Sequence, residues 1–150
     1  MKNKASIGSW ITIGHSSIVE VMADAGFDWL CVDCEHTAID YKELQYLIST
    51  INKNGLKSYV RVSANEESPI KRTLDCGANG IIIPQIKNLE DAKKAIQYSF
   101  YNPIGSRGVS AAAPAQKYGF GFEEYQKKSK STKLILQIEH IDAINNLKDI

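Results

Sequence analysis

Apolar residues recur along this chain in two alternating rhythms: short runs of β-branched residues, and longer stretches in which apolar positions return every three or four residues. The first run, Ile7 to Ile13, predicts a strand. A helix is expected from about Ser17, where Ser17 and Glu20 have capping-box spacing, with Gly26 as its stop. A second strand spans Trp29 to Asp33. Asp40 then caps a helix whose Tyr41, Leu44, Leu47, Ile48 and Ile51 share one face, and Gly55 ends it. Strand three is Ser58 to Val62, followed by a helix capped by Ser68 with Pro69 in its first position and Gly77 at its close. Strand four is Gly80 to Pro84. Asn88 opens a helix with Leu89, Ala92, Ile96 and Phe100 on one face. After Tyr101 the rhythm breaks into a long connection containing Gly105-Ser106-Arg107-Gly108, with a short helix over Phe122 to Lys128. Strand five, Lys133 to Ile138, precedes a last helix from about Asp142 to Ile150. The β-then-α order, repeated five times with short connections, predicts a parallel sheet in one α/β domain over residues 1–150.

Composition narrows the function classes. With 43% hydrophobic residues in 150, the chain can bury a core. Eighteen Lys and Arg against seventeen Asp and Glu leave a net charge of +1, so no electrostatic footprint for nucleic acid or an anionic membrane is present. A small-molecule partner is favoured. Runs such as Ile81-Ile82-Ile83 are far short of the roughly 20 apolar residues of a membrane helix, and no apolar signal core follows Met1-Lys2-Asn3-Lys4. A cytoplasmic protein is expected. Three cysteines argue for reduced thiols, and the Cys31-x-x-Cys34 pair, on a strand and with no second pair, is read as buried and inert rather than as a zinc or redox site. The run Lys127 to Ser131 is read as a solvated helix end.

In parallel α/β proteins, chemistry collects at the carboxyl ends of the strands. The polar residues expected there are Asp33-Cys34-Glu35-His36 after strand two, Arg61 on strand three, and Gln137 and Glu139 on strand five. In Tyr59-Val60-Arg61-Val62 the valines share a parity that suits a helix-facing surface, which places Arg61 on the other face. Strand five repeats the pattern, with Leu134, Leu136 and Ile138 on one parity and Ile135, Gln137 and Glu139 on the other. Arg61 and Glu139 could form a buried structural ion pair, or hold a metal or anionic substrate between them. A hydrogen-bonded loop histidine is the bland alternative for His36, and His15 and His140 are given no functional role. The Gly105 to Gly108 loop is either a turn or an anion-approaching backbone.

Taken together, Trp10, Ala25-Gly26-Phe27-Asp28-Trp29-Leu30, Asp33-Cys34-Glu35-His36, Val60-Arg61-Val62, Leu74-Asp75, Ile83-Pro84, Pro103-Ile104-Gly105-Ser106-Arg107-Gly108-Val109 and Gln137-Ile138-Glu139 resemble, in order and spacing, the HpcH/HpaI family of metal-dependent pyruvate aldolases. The resemblance implies a (β/α)8 TIM barrel, of which this chain supplies the first five βα units, and a divalent cation, Mg²⁺, Mn²⁺ or Co²⁺, that holds pyruvate at the top face. Glu139 then looks like the first metal carboxylate and Gln137 like a neighbour lining the pocket. Arg61 looks like the contact to the keto oxygen, and His36 like the general base. Asp75 looks like the acidic partner of His36, reaching the site across a subunit interface in a homo-oligomer.

The implied reaction is cleavage of a 4-hydroxy-2-oxo acid to pyruvate and an aldehyde through a metal-bound pyruvate enolate. A non-catalytic oxo-acid-binding relative of the same fold is the alternative. Schiff-base chemistry is disfavoured, because Lys57 and Lys133 stand at strand starts. Cys34 departs from the family's usual Gly or Ala, a small-for-small change. Family members run to about 250 residues, and the second metal carboxylate, in a Gly-Pro-x-Asp context after the next strand, is expected beyond residue 150. The 150 residues therefore read as a truncated barrel, its open edges covered by further residues or another chain.

Overall fold

A computed structural model describes residues 5–150; the start read above for its lack of a signal core, Met1 to Lys4, lies outside them. Five strands, β1 (Gly8–Ile11), β2 (Trp29–Asp33), β3 (Lys57–Arg61), β4 (Gly80–Ile83) and β5 (Lys133–Leu136), form one sheet in the order β1-β2-β3-β4-β5, every neighbouring pair parallel. The helices are α1 (Ser16–Asp24), α2 (Tyr41–Lys53), α3 (Glu67–Asp75), α4 (Leu89–Ser99), α5 (Phe122–Ser129) and α6 (Ile141–Asn145), with a kinked 3-10 segment at Pro114–Gly119. Spatial order equal to chain order, with no reversal, is the topology of a barrel arc rather than of a doubly wound sheet.

Core residues lie on the helix-covered face. Val19 of α1 and Leu44, Leu47, Ile48 and Ile51 of α2 pack on Leu30, Val32 and Val60, while Ile70 and Leu74 of α3 and Ala95 of α4 pack on Val62, Ile81 and Ile83. Each buried Val, Leu or Ile side chain among them contributes roughly 1.5–3 kcal/mol. Leu134, Leu136 and Ile138 join the second cluster, so strand five has the parity expected of it. The opposite face is open: Trp10 and Ile135 are 43% and 41% exposed.

Asp40 caps α2, and Gly26, Gly55 and Gly77 take left-handed φ after α1, α2 and α3, as the sequence predicts; the Asp40 cap is in addition a reciprocal box with Glu43. Other boundaries differ. α1 begins at Ser16 because the Nδ1 of His15 accepts the Ser17 N–H, taking the cap role expected of Ser17. α3 begins at Glu67, so Pro69 is its third residue rather than its first; a first-turn N–H has no intrahelical partner either way. On α4 the buried positions are Ala92, Ala95 and Ser99, with Leu89 and Ile96 left at the exposed border. α6 stops at Asn145, where Asn146 turns away and its amide donates to the Lys87 carbonyl at 3.1 Å. β3 keeps its expected length but starts and stops one residue early, and β5 stops at Leu136, two residues short of Ile138; both ladders run on as Val62 N–H to Ile82 O (3.1 Å) and Gln137 N–H to Ile83 O (2.9 Å).

The connection after α4 folds back at Gly105, where a Cβ would stand 2.5 and 2.6 Å from the carbonyl oxygens of Phe100 and Gln97; only glycine fits. That turn delivers Arg107 into the protein. Among the described residues, no helix is long and apolar enough to cross a membrane.

Candidate active site

Asp33 and Arg61 are the last residues of neighbouring strands and partners in register, so their side chains leave the sheet side by side on its open face. The guanidinium grips the carboxylate with both arms: Nε to Oδ1 at 3.0 Å and Nη2 to Oδ2 at 2.8 Å. Asp33 Oδ1 also accepts the backbone N–H groups of Glu35 (3.0 Å) and His36 (3.3 Å), and its carbonyl accepts the Thr37 hydroxyl. Asp33 is thereby the bracket that holds Arg61 and shapes the loop carrying His36. Burial alone would raise the Asp33 carboxyl, but the Arg61 hydrogen bond and the two N–H groups outweigh it and hold it below the usual carboxylate value.

Around this pair stand Trp10, Glu35 and His36. The Trp10 ring lies 4.8 Å from the guanidinium carbon, a cation–π contact. Glu35 Oε2 is buried with no hydrogen-bond donor among the described residues, 3.3 Å from Arg61 Nε and 3.5 Å from His36 Nε2. The His36 side chain is 67% exposed, open to a ligand on the free face.

Glu139 follows β5. Its Oε1 accepts both the backbone N–H (2.8 Å) and the side-chain amide (3.0 Å) of Gln85, and its Oε2 accepts the Gln137 amide at 2.6 Å. The Arg61–Glu139 ion pair weighed from spacing is not formed; Arg61 is committed to Asp33 and Glu35, and Glu139 to two amides. The structure thus places His36, Arg61, Gln137 and Glu139 at one end of the sheet.

Asp75 stands apart. It ends α3, which runs back from the carboxyl end of β3, so it sits by the amino ends of the strands, bonded to Arg107 Nη2 at 2.5 Å. The Arg107 side chain is fully buried, bonded to the Tyr125 hydroxyl at 3.1 Å and flanked by the rings of Tyr101 and Tyr125. The Gly105 to Gly108 loop is therefore an anchor on α3, and the N–H groups of Gly105, Ser106 and Arg107 are spent on the carbonyls of Tyr101, Gln97 and Phe100 rather than turned to an anion. Within this chain Asp75 does not meet His36.

His15 and His140 both act as helix caps through Nδ1. Cys31 is buried and Cys34 half-buried, and desolvation pushes both thiols up to about 12, which keeps them protonated. A cavity of about 710 Å³ opens at the amino ends of β3, β4 and β5, far from His36 along the strands. Among its lysines, Lys53 and Lys128 sit in the last turns of α2 and α5, where a cation complements the helix dipole. Among the described residues no three His, Cys, Asp or Glu side chains cluster as a metal site.

Asp33, Glu35 and Gln85 were not given roles from sequence. Asp33 had a readable signal: opposite charges at the last inward positions of adjacent parallel strands meet. Gln85 had none, because its role depends on a backbone conformation.

Residues 6–150 match a family model described as HpcH/HpaI aldolase/citrate lyase. Among curated relatives, the chain is 36% identical over 149 residues to a 2-dehydro-3,6-dideoxy-6-sulfogluconate aldolase of Pseudomonas putida, covering 99% of this chain and 58% of that protein. It is 33% identical to a 4-hydroxy-2-oxo-heptane-1,7-dioate aldolase of Shigella sonnei, covering 98% and 56%. The crystal structure of an HpcH/HpaI aldolase from Desulfitobacterium hafniense superposes with a TM-score of 0.88 at 29% identity, covering 98% of this chain and 57% of that one. The chain spans just over half the length of the curated relatives it matches.

Proposed function

The chain belongs to the HpcH/HpaI aldolase/citrate lyase family, and from that premise we propose that it serves a metal-dependent carbon–carbon lyase that cleaves a 4-hydroxy-2-oxo acid to pyruvate and an aldehyde. The observation that carries this reading is the fixed guanidinium of Arg61, clamped by Asp33 at a strand's carboxyl end with His36 beside it on the open face. Of the five N–H groups of Arg61, two are spent on Asp33, and the other three have no hydrogen-bond acceptor among the described residues and can meet a substrate oxygen.

The donor set fits one arm of a cation site. A carboxylate has about four acceptor positions; Gln85 fills two on Oε1 and Gln137 one on Oε2, leaving one on Oε2 for a single bond to a metal. Glu139 would hold the cation, together with substrate oxygens and the second carboxylate that the family resemblance implies. A divalent cation bound there supplies Lewis-acid stabilisation of the 2-oxo group as negative charge gathers on it.

This chain's residues supply the rest. His36 takes the 4-hydroxyl proton as the C3–C4 bond breaks and the aldehyde leaves. The electron pair of that bond passes toward the 2-oxo oxygen, where the Arg61 N–H groups meet the growing charge. A proton returned to C3 completes pyruvate. Asp75 would serve His36 only between copies in a homo-oligomer, since in its own chain Arg107 holds it at the other end of α3.

Pyruvate release from a racemic 4-hydroxy-2-oxo acid, with Mg²⁺, Mn²⁺ or Co²⁺ and then with excess chelator, tests the proposal. Pyruvate should appear with metal and cease with chelator. Undiminished release in chelator, or saturable binding of the acid with no cleavage at any metal concentration, would overturn it; the latter outcome is that of a non-catalytic relative.

A further inference from the structure

Gln85, the second residue after β4, has a φ of +57°. Left-handed backbone crowds any Cβ, and Gly or Asn are the residues that accept it readily. The other non-glycine residues that share it among the described ones, Lys117 and Tyr118, lie in the kink of the 3-10 segment. The conformation at Gln85 turns the backbone N–H and the side-chain amide toward the same atom, Oε1 of Glu139, at 2.8 and 3.0 Å. From the other side Gln137 reaches Oε2 at 2.6 Å.

We infer that Gln85 is a positioning residue for the metal carboxylate: it saturates Oε1 of Glu139 and fixes the carboxylate plane, so that the remaining acceptor position of Oε2 is presented to the cation. The inference rests on Glu139 being a metal ligand. A strained residue is retained where its side chain does something a relaxed one cannot. A glycine at position 85 would keep the N–H and shed the strain. What it would lose is the amide that bonds Glu139. Hydrogen-bonded partners of ligating carboxylates orient them, and their loss typically weakens metal binding about 10–100-fold.

A purely structural tie between the ends of β4 and β5 makes a different forecast. In that case Gln85→Gly would bind cations as well as the wild type does.

The test is a Mn²⁺ titration of the ¹⁵N-labelled chain, followed by paramagnetic broadening of the amide signals, which reads dissociation constants into the millimolar range. Wild type, Gln85→Gly, Gln85→Leu and Glu139→Gln are compared, with melting temperatures alongside. Saturable broadening should centre on residues 85 and 137 to 139 and vanish in Glu139→Gln. It should need about 10–100-fold more Mn²⁺ in both Gln85 variants, while Gln85→Gly melts no lower than wild type. Equal dissociation constants in wild type and Gln85→Gly would overturn the positioning role and leave the metal reading intact. Wild type that shows no broadening at Glu139 would instead overturn the metal reading, and the inference with it. Because Gln85→Gly is relieved of strain, a fold lost in Gln85→Leu does not blunt the comparison.

Discussion

Asp33→Ala should lower the stability of the folded chain by about 3–5 kcal/mol, the usual cost of leaving one member of a buried ion pair alone. The Arg61 and Asp33 side chains are 15% and 6% exposed, and Glu35, 3.3 Å from Arg61 Nε, replaces only one of the two arms of the lost pairing. The substitution also strands the N–H groups of Glu35 and His36, which have Asp33 Oδ1 as their acceptor. Urea unfolding of the variant beside wild type measures the loss, and a stability within about 1 kcal/mol of wild type would show that the bracket carries no weight. Acid sensitivity gives an independent reading. Since the folded Asp33 carboxyl lies below its ordinary value, its contribution is complete above the unfolded pKa of about 4 and disappears as pH falls from there through the folded value. Asp33→Asn, which cannot ionise, should lack that part of the acid limb.

His36→Ala should slow aldol cleavage by roughly 10²- to 10⁴-fold, the usual range for loss of a general base. Its metal dissociation constant should stay nearly unchanged, because His36 bonds neither Glu139 nor the amides around it. Geometry favours the assignment: the ring is largely exposed on the open face, its Nε2 beside Glu35, while its backbone N–H is pinned to Asp33. Single-turnover measurements at saturating metal separate this effect from binding. Turnover within a few-fold of wild type would remove His36 from the reaction.

Much of the frame was legible because local rules and tertiary demand agreed. Trp29 to Asp33 is a strand with the bounds its pattern gave, since four of its five residues are buried and nothing competes for them. Asp40 and Glu43 complete each other as a capping box within four residues. Boundaries failed where two nearby groups could do the same job: His15 and Ser17 compete to cap α1, and an imidazole nitrogen wins a role that a hydroxyl was expected to fill. The Pro114–Gly119 segment was unreadable, because Lys117 and Tyr118 take left-handed φ without glycine or asparagine to announce it. At the site, side-chain parity placed Arg61, Gln137 and Glu139 on the open face, but parity says nothing about partners. Pairing came from register, which set Asp33 beside Arg61, and from the backbone of Gln85, which no pattern of residue types encodes.

The contact between Trp10 and Arg61 gives the site a built-in optical reporter. The chain has two tryptophans with different surroundings: Trp10 over the guanidinium, Trp29 at the start of β2 with its ring edge-on to Tyr59 at 5.7 Å. In a Trp29→Phe background all indole emission would come from Trp10, 4.8 Å from a positive charge and partly open to water. An oxo acid that draws on the free N–H groups of Arg61 changes both the field and the hydration at that indole. Its arrival should therefore shift the intensity and wavelength of emission in proportion to occupancy, so that binding can be followed in real time, without label and before any bond is cleaved.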